Sequence, residues 1–406
     1  MTSAVAIGAT TPHFPSFDRL AAGADLPDGD ALALVDLGDV ALNELCAAAG
    51  ESRDRGRGNV ITFSPKVFIP LTRVCRDFCG YCTFRQSPGE ADDLYLTADQ
   101  VLAVASAGQR LGCTEALFTL GERPEQRYSE AGDWLTQSGY RTTLEYLSAM
   151  CRMVFEKTDL LPHGNPGTMS RRELEALQPT NPSVGIMLES SSPRLYEAGG
   201  PHEFAPSKRP RVRLRTMELA GELGIPFTTG ILIGIGETRT ERVESLLAIR
   251  DLHRRFGHIQ EVIVQNFRAK SDTPMADTPD AAPDELMWTT AVARLIMGET
   301  VNIQVPPNLS ENYERYIAAG INDWGGVSPL TIDYVNPEAP WPQLKELERR
   351  TREAGYELRP RLPVYPEYFA NGSPWPLPEP LKEKLLRLTD QNGYVKGGTQ
   401  RYARND

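Results

Sequence analysis

Val67-Phe-Ile-Pro-Leu-Thr-Arg-Val-Cys75-Arg-Asp-Phe-Cys79-Gly-Tyr-Cys82 joins an apolar, β-prone run to three closely spaced cysteines. The run predicts a strand over 67–72, with the cysteine loop leaving its C-terminal end. Three thiolates at this spacing can hold three irons of a 4Fe-4S cube and leave the fourth iron open for a small molecule. A zinc finger or ribbon needs a fourth Cys or His at short spacing. Here Cys46, Cys113 and Cys151 are scattered, and His163 is far downstream. Six cysteines in 406 residues, with no secretory signal, point to a reducing compartment rather than to a disulfide framework. The three scattered cysteines read as small buried hydrophobes.

The C-x3-C-x2-C spacing, with Tyr81 just before the last cysteine, resembles the radical S-adenosylmethionine superfamily. The resemblance implies a 4Fe-4S cluster on Cys75, Cys79 and Cys82, with S-adenosyl-L-methionine on the open iron and Tyr81 beside it. It also implies a 5'-deoxyadenosyl radical that takes hydrogen from a substrate, and a dry chamber to protect that radical.

Composition is that of a soluble globular enzyme, with 40% hydrophobic and 24% charged residues. No apolar run approaches the ~20 residues that span a bilayer, and the N-terminus lacks the pattern of a signal peptide. The expectation is a cytoplasmic protein with no membrane association. A net charge of -11 argues against nonspecific nucleic-acid binding, which needs a basic face.

Along the chain, predicted strands alternate with amphipathic helices, the pattern of a parallel sheet wrapped by helices. An Ala-, Gly- and Pro-rich preamble includes a helix near 31–49. After the strand at 67–72, Thr97 and Gln100 form a capping box for a helix running to about Leu111. Further strands are expected at 115–120, near 160–161, and at 184–188, 227–233, 261–264, 302–305 and 321–324. The helices between them are expected over 142–157, from Ser170 with Glu173, and over 211–223, 240–256 and 283–298. Ser310 is expected to cap a short helix ending at Gly320, and a last helix lies at 344–353. Eight strand–helix units favour a closed (β/α)8 TIM-type barrel over residues 59–355. Residues 1–58 and 356–406 form N- and C-terminal extensions, the latter a Pro-rich appendage over one end of the barrel.

Catalytic groups of such barrels sit at the C-terminal ends of strands. Thr119-Leu-Gly-Glu122 resembles the superfamily's Gly-Gly-Glu motif, with Leu120 replacing the first glycine. That likeness assigns Gly121 and Glu122 to the methionine ammonium; a plain Gly-Glu loop is the competing reading. Gly230-Ile-Leu-Ile-Gly234-Ile-Gly236-Glu237 resembles the fifth-strand motif that flanks the adenine, which implicates Gly230, Leu232, Gly234 and Glu237. Glu189 and Ser190 end the fourth strand, where relatives bind ribose hydroxyls. Arg213 resembles in position an arginine aimed at the methionine carboxylate, whereas Arg211 and Arg215 read as a solvated helix face. His163, Asn165, Gln265, Asn266, Arg268, Gln304, Asn308 and Trp324 bring amides and aromatics to the substrate side. Asp323 is the candidate acid or base there. Each of these alone could be a structural cap or turn residue, and for a single Asn in a loop that reading is favoured.

Longer phrases narrow the resemblance. Gly80-Tyr-Cys82-Thr-Phe84, Leu161-Pro-His-Gly-Asn-Pro-Gly167, Gly257-His-Ile-Gln-Glu-Val-Ile-Val-Gln-Asn-Phe-Arg-Ala-Lys270 and Asp323-Trp-Gly-Gly-Val-Ser-Pro-Leu330 resemble the 7,8-didemethyl-8-hydroxy-5-deazariboflavin (FO) synthase family. The match is to its first radical subunit, or to the N-terminal half of the fused actinobacterial form. The resemblance implies hydrogen abstraction from an adduct of tyrosine and 5-amino-6-ribitylaminouracil, with cyclisation and loss of ammonia, in coenzyme F420 biosynthesis. It also implies a partner subunit or fused second half, and a flavodoxin or ferredoxin electron donor. Arg73, Arg76 and Arg85 either help to dock that donor or balance the cluster's charge. Rival readings are the tyrosine-coupling partner enzyme, another enzyme of the subgroup, and a noncatalytic iron-sulfur carrier. A carrier would favour four cysteine ligands.

Overall fold

Strand β1 (Val60–Thr72) is far longer than the six residues its apolar run predicts, because different parts of it pair with three different strands. Lys66 to Thr72 pair with β2 (Glu115–Leu120), and Thr62 to Pro65 with β8 (Asp323–Val327). Val60 to Phe63 pair with β9 (Glu357–Pro360). A computed structural model describes residues 20, 23, 25–37, 41–370 and 372–402. Between β2 and β8 run β3 (Leu161–Asn165), β4 (Val184–Gly185), β5 (Phe227–Ile233), β6 (Ile259–Asn266) and β7 (Asn302–Gln304). All neighbours are parallel, and β1 pairs with both β2 and β8, so eight strands close into a barrel with β9 added beneath β2. This is the expected (β/α)8 architecture.

The helices form where capping and periodicity place them. Thr97 and Gln100 exchange hydrogen bonds to open helix Ala98–Arg110, and Ser170 and Glu173 open Arg171–Leu177. Thr238 and Glu241 form a third capping box that starts the helix Arg239–Phe256. The helices Thr143–Lys157, Pro210–Glu222, Pro283–Met297 and Leu344–Glu353 complete the outer layer. Their apolar faces and the outward strand residues Ile61, Phe63, Val67 and Ile69 share one continuous core.

Several boundaries differ from expectation. The single helix expected near 31–49 is two, Asp28–Ala33 and Leu42–Arg57; residues 38–40 and most of 1–24 lie outside the described residues. Pro162 to Asn165, beyond the strand expected near 160–161, belong to β3, which pairs in parallel with β2 and β4. β4 is regular only at Val184 and Gly185, with Glu189 rejoining β5 as an isolated bridge to Ile231. Ser310 caps no helix: its hydroxyl meets the Tyr316 phenol, and the β7–β8 connection is a 3-10 turn over Tyr313–Ile317. The last barrel strand starts two residues later than predicted, at Asp323.

β9 extends the sheet, and Leu362, Val364 and Tyr365 form a second small core with Leu161 across the N-terminal end of the barrel. No helix among the described residues is long and apolar enough to cross a membrane.

Candidate active site

The C-terminal mouth of the barrel opens into a chamber whose empty volume, mouth included, is about 1860 Å³. Cys75, Cys79 and Cys82 line one wall of it. Their loop is pinned from several sides. Gln86 N–H donates to the Arg73 carbonyl (2.8 Å), Phe78 N–H to Phe204 (3.0 Å) and Gly80 N–H to Pro201 (2.7 Å). The Glu122 N–H points at Cys75 Sγ, 3.1 Å away. Gly121 permits this approach, since a Cβ there would stand 2.1 Å from the Val74 carbonyl oxygen. Tyr81, Leu195, Leu232, Ile235 and Phe267 pack as a dry cluster against Cys79 and Cys82. Burial pushes the Cys75 thiol up to about 12 and raises Cys79 further, so thiolates here require a cationic partner. Soft, desolvated sulfurs on one wall fit an iron-sulfur cluster. No three Cys, His, Asp or Glu side chains among the described residues converge as they would on a single metal ion.

Next to the cysteines lie the groups assigned to the cosubstrate. Glu122 is buried and accepts from Thr168 Oγ1 (2.5 Å) and from the Thr168 N–H (3.1 Å); burial outweighs these bonds and raises its pKa. Glu189 has φ +64°, a left-handed backbone rare for a residue with a side chain. Its carboxylate is paired with Lys208 Nζ and faces the chamber. Arg123, following Glu122, is the one other non-glycine residue at positive φ among the described residues. Arg213 Nε donates to the Ser207 carbonyl (3.0 Å) and Nη1 to that of Met187, and the residue lines the chamber. The Tyr81 hydroxyl is 3.0 Å from His202 Nε2.

The structure brings His163, Asn165, Gln265, Asn266, Arg268 and Gln304 to the chamber, together with Tyr81, Gly121, Glu122, Glu189, Arg213 and Leu232. Others lie elsewhere. Asp323 is the first residue of β8, not its exit, and its carboxylate is fully buried and held by Arg361, Thr62 and the Gly325 N–H. Trp324 faces outward, its Nε1 donating to Thr351 Oγ1 (3.0 Å) and its ring edge-on to Tyr313. Asn308 ties the loop after β8, donating to Asp333 and to the Ala339 carbonyl. Ser190 accepts from the Ser192 N–H away from the chamber. Gly230 admits the Ile263 backbone, Gly234 packs on Ala281 and Phe267, and Glu237 closes its own turn on the N–H groups of Gly234 and Ile235. Arg73 and Arg85 brace the cysteine loop, through the Thr83 and Phe84 carbonyls and the Phe78 ring.

Sequence reasoning missed the chamber floor. Lys66, Glu115, Glu261 and Arg361 line it, and Lys66 Nζ lies 3.0 Å from Glu115 Oε1. Reading β1 as starting at Val67 hid the alternation Ser64, Lys66, Phe68; nothing in the tail marked Arg361. Also missed was an aromatic wall, in which Phe68 and Trp341 stack with centroids 5.2 Å apart.

Residues 69–249 match the Radical SAM superfamily. The chain is 52% identical over 338 residues to the 7,8-didemethyl-8-hydroxy-5-deazariboflavin synthase of Methanopyrus kandleri, covering 83% of this chain and 100% of that protein. It belongs to the FO synthase family. The FO synthase of Streptomyces coelicolor is 50% identical over 379 residues, which cover 91% of this chain and 44% of that longer protein. The chain thus spans the whole archaeal relative and less than half of the actinobacterial one. In fold, this family member is similar to methylornithine synthase (TM-score 0.66, 19% identity, 84% of this chain and 96% of that one). It is likewise similar to the hydrogenase maturase HydG of Carboxydothermus hydrogenoformans (TM-score 0.69, 19% identity, 86% and 79%). It is a radical SAM enzyme, and that superfamily's chemistry entails a 4Fe-4S cluster and S-adenosylmethionine.

Proposed function

We propose that this chain acts on the adduct of tyrosine and 5-amino-6-ribitylaminouracil, abstracting one hydrogen and closing the ring with loss of ammonia to give the deazaflavin of coenzyme F420. The observation that carries the reading is one chamber with three cysteines on its wall and amide and ionic side chains beneath them. When bound, the cluster and S-adenosylmethionine supply a 5'-deoxyadenosyl radical. Cys75, Cys79 and Cys82 would hold three irons, and among the described residues no fourth cysteine lines the chamber. Glu122 receives the methionine ammonium, Arg213 its carboxylate, and Glu189, steadied by Lys208, the ribose hydroxyls. Tyr81, Leu232 and Phe267 keep water from the reacting carbon. Phe68 and Trp341 stack on the aromatic end of the substrate, and Asn165, Gln265, Asn266 and Gln304 read the uracil.

The adduct comes from a second radical enzyme, a separate subunit or a fused half, and the electron from a flavodoxin or ferredoxin. We place this chemistry in the cytoplasm, where free thiols such as these six cysteines stay reduced. The test is anaerobic. Protein reconstituted with iron and sulfide is given dithionite, S-adenosylmethionine and the adduct, and 5'-deoxyadenosine and fluorescent deazaflavin are followed together. Both products are expected, and Cys75→Ala, Cys79→Ala or Cys82→Ala is expected to remove both. Deoxyadenosine without deazaflavin from the unmutated protein would discard the substrate assignment.

A further inference from the structure

Beneath the amides, the barrel interior ends in a layer of buried charge. Lys66, Glu115, His163, Glu261 and Arg361 all line the chamber, and each is less than a tenth exposed. Both cations are already paired. Lys66 Nζ lies on Glu115, and Arg361 bridges Glu261 (2.7 Å) and Asp323 (2.6 Å). Glu115 and Asp323 match the two cations, and burial beside Asp323 raises Glu261 to about 7, so no positive charge is left over for an incoming anion.

Hydrogen-bonding capacity does remain. Lys66 has three N–H groups and one partner. Ser183 Oγ donates to the Pro363 carbonyl, and its oxygen lies 2.7 Å from His163 Nδ1. The hydroxyl proton is committed to that carbonyl, so Nδ1 carries the imidazole hydrogen and donates, and Nε2 keeps its lone pair. Burial lowers the His163 pKa to about 4, so the ring is neutral near pH 7. The floor therefore offers ammonium donors beside imidazole and carboxylate acceptors. Higher up, buried Asn266 keeps an unpartnered Oδ1.

We propose that this floor is a polyol subsite that takes the substrate's ribityl chain end-on and selects the free polyol over its phosphate ester. Each hydroxyl of a polyol donates once and accepts, which matches a mixed set of donors and acceptors. A phosphate dianion only accepts, and it would face Glu115 and Glu261 while both cations are engaged. The inference rests on the substrate class proposed above.

The experiment compares three ligands on the reconstituted full chain with S-adenosylmethionine: the ribityl adduct, the same adduct with N-methyl in place of ribityl, and the ribityl 5'-phosphate. The readout is the concentration dependence of deoxyadenosine formation. Losing two to three hydrogen bonds predicts a methyl analogue weaker by about 30- to 100-fold. The phosphate ester is expected to be at least as poor, and Glu115→Gln to narrow the polyol-to-phosphate ratio by about tenfold. Equal half-saturation by the ribityl and methyl compounds overturns the subsite, as does a phosphate ester that binds as well as the free polyol. The unmutated comparison decides even if Glu115→Gln fails to fold. If none of the three ligands supports turnover, the substrate class falls first and the subsite with it.

Discussion

Arg361 Nε lies 2.6 Å from Oδ2 of Asp323, and Arg361 Nη2 lies 3.0 Å from Oδ1 of the same carboxylate. Nη2 also meets Glu261 Oε1 at 2.7 Å, so one tail residue neutralises acids on two barrel strands. The fork geometry suits a guanidinium and no other side chain. The pairing of β9 with β1 continues into this residue, whose N–H donates to the Phe63 carbonyl (2.8 Å).

Truncating that side chain leaves two buried carboxylates without their counter-charge. Arg361→Met is expected to cost about 3–5 kcal/mol of unfolding free energy, read as a lower urea midpoint. A loss below about 1 kcal/mol would show that water or Lys66 compensates and that the fork is dispensable.

Gly121 permits contact between two backbones. A Cβ there would sit 2.1 Å from the Val74 oxygen and 2.9 Å from the Cys75 Cα. Gly121→Ala should push the cysteine loop off the end of β2. Iron and sulfide content after reconstitution is then expected to fall several-fold, with circular dichroism preserved. Full iron loading would mean that the loop can shift at no cost.

The two tryptophans near β8 should behave oppositely. Trp324 is fully buried on the outer side with its indole N–H bonded to Thr351, so Trp324→Phe should cost about 1–3 kcal/mol of stability and leave the substrate KM unchanged. Trp341 stacks on Phe68 at the chamber, so Trp341→Ala should raise the KM for the adduct while affecting the melt less. Reversed effects would return Trp324 to the substrate side, where the sequence alone had put it.

Acid should destabilise the fold through buried imidazoles. Burial lowers His258 to about 4 despite its bond to the Met217 carbonyl, and lowers His163 likewise, against the pull of Glu115. Between these values and the usual 6.5 the unfolded chain binds more protons, so stability rises with pH across that window and is lost as pH falls. His258→Gln is expected to be less stable than the native chain at pH 7, with the gap closing toward pH 4.5. A gap constant with pH would remove His258 from the acid response.

Much of this molecule is written locally. The cysteine spacing, the capping boxes at Thr97 and Ser170 and the runs that became β2 and β5 follow from residues within one turn or one strand of each other. They needed no partner to be read. Gly121 and Glu122 were singled out only by the likeness of Thr119-Leu-Gly-Glu122 to a family motif, and the structure places both on the chamber wall. What the tertiary structure decided is which side chains face inward. Starting β1 at Val67 left Lys66 outside the strand, and ending β8 at Trp324 made Asp323 and Trp324 mouth residues, whereas the strand begins at Asp323 and runs on to Val327. The charged floor depends on still longer range: Arg361 reaches acids 38 and 100 positions away in sequence. Pairing across such distances leaves no local signal, because burial and counter-charge at the barrel's end arise only once the sheet has closed.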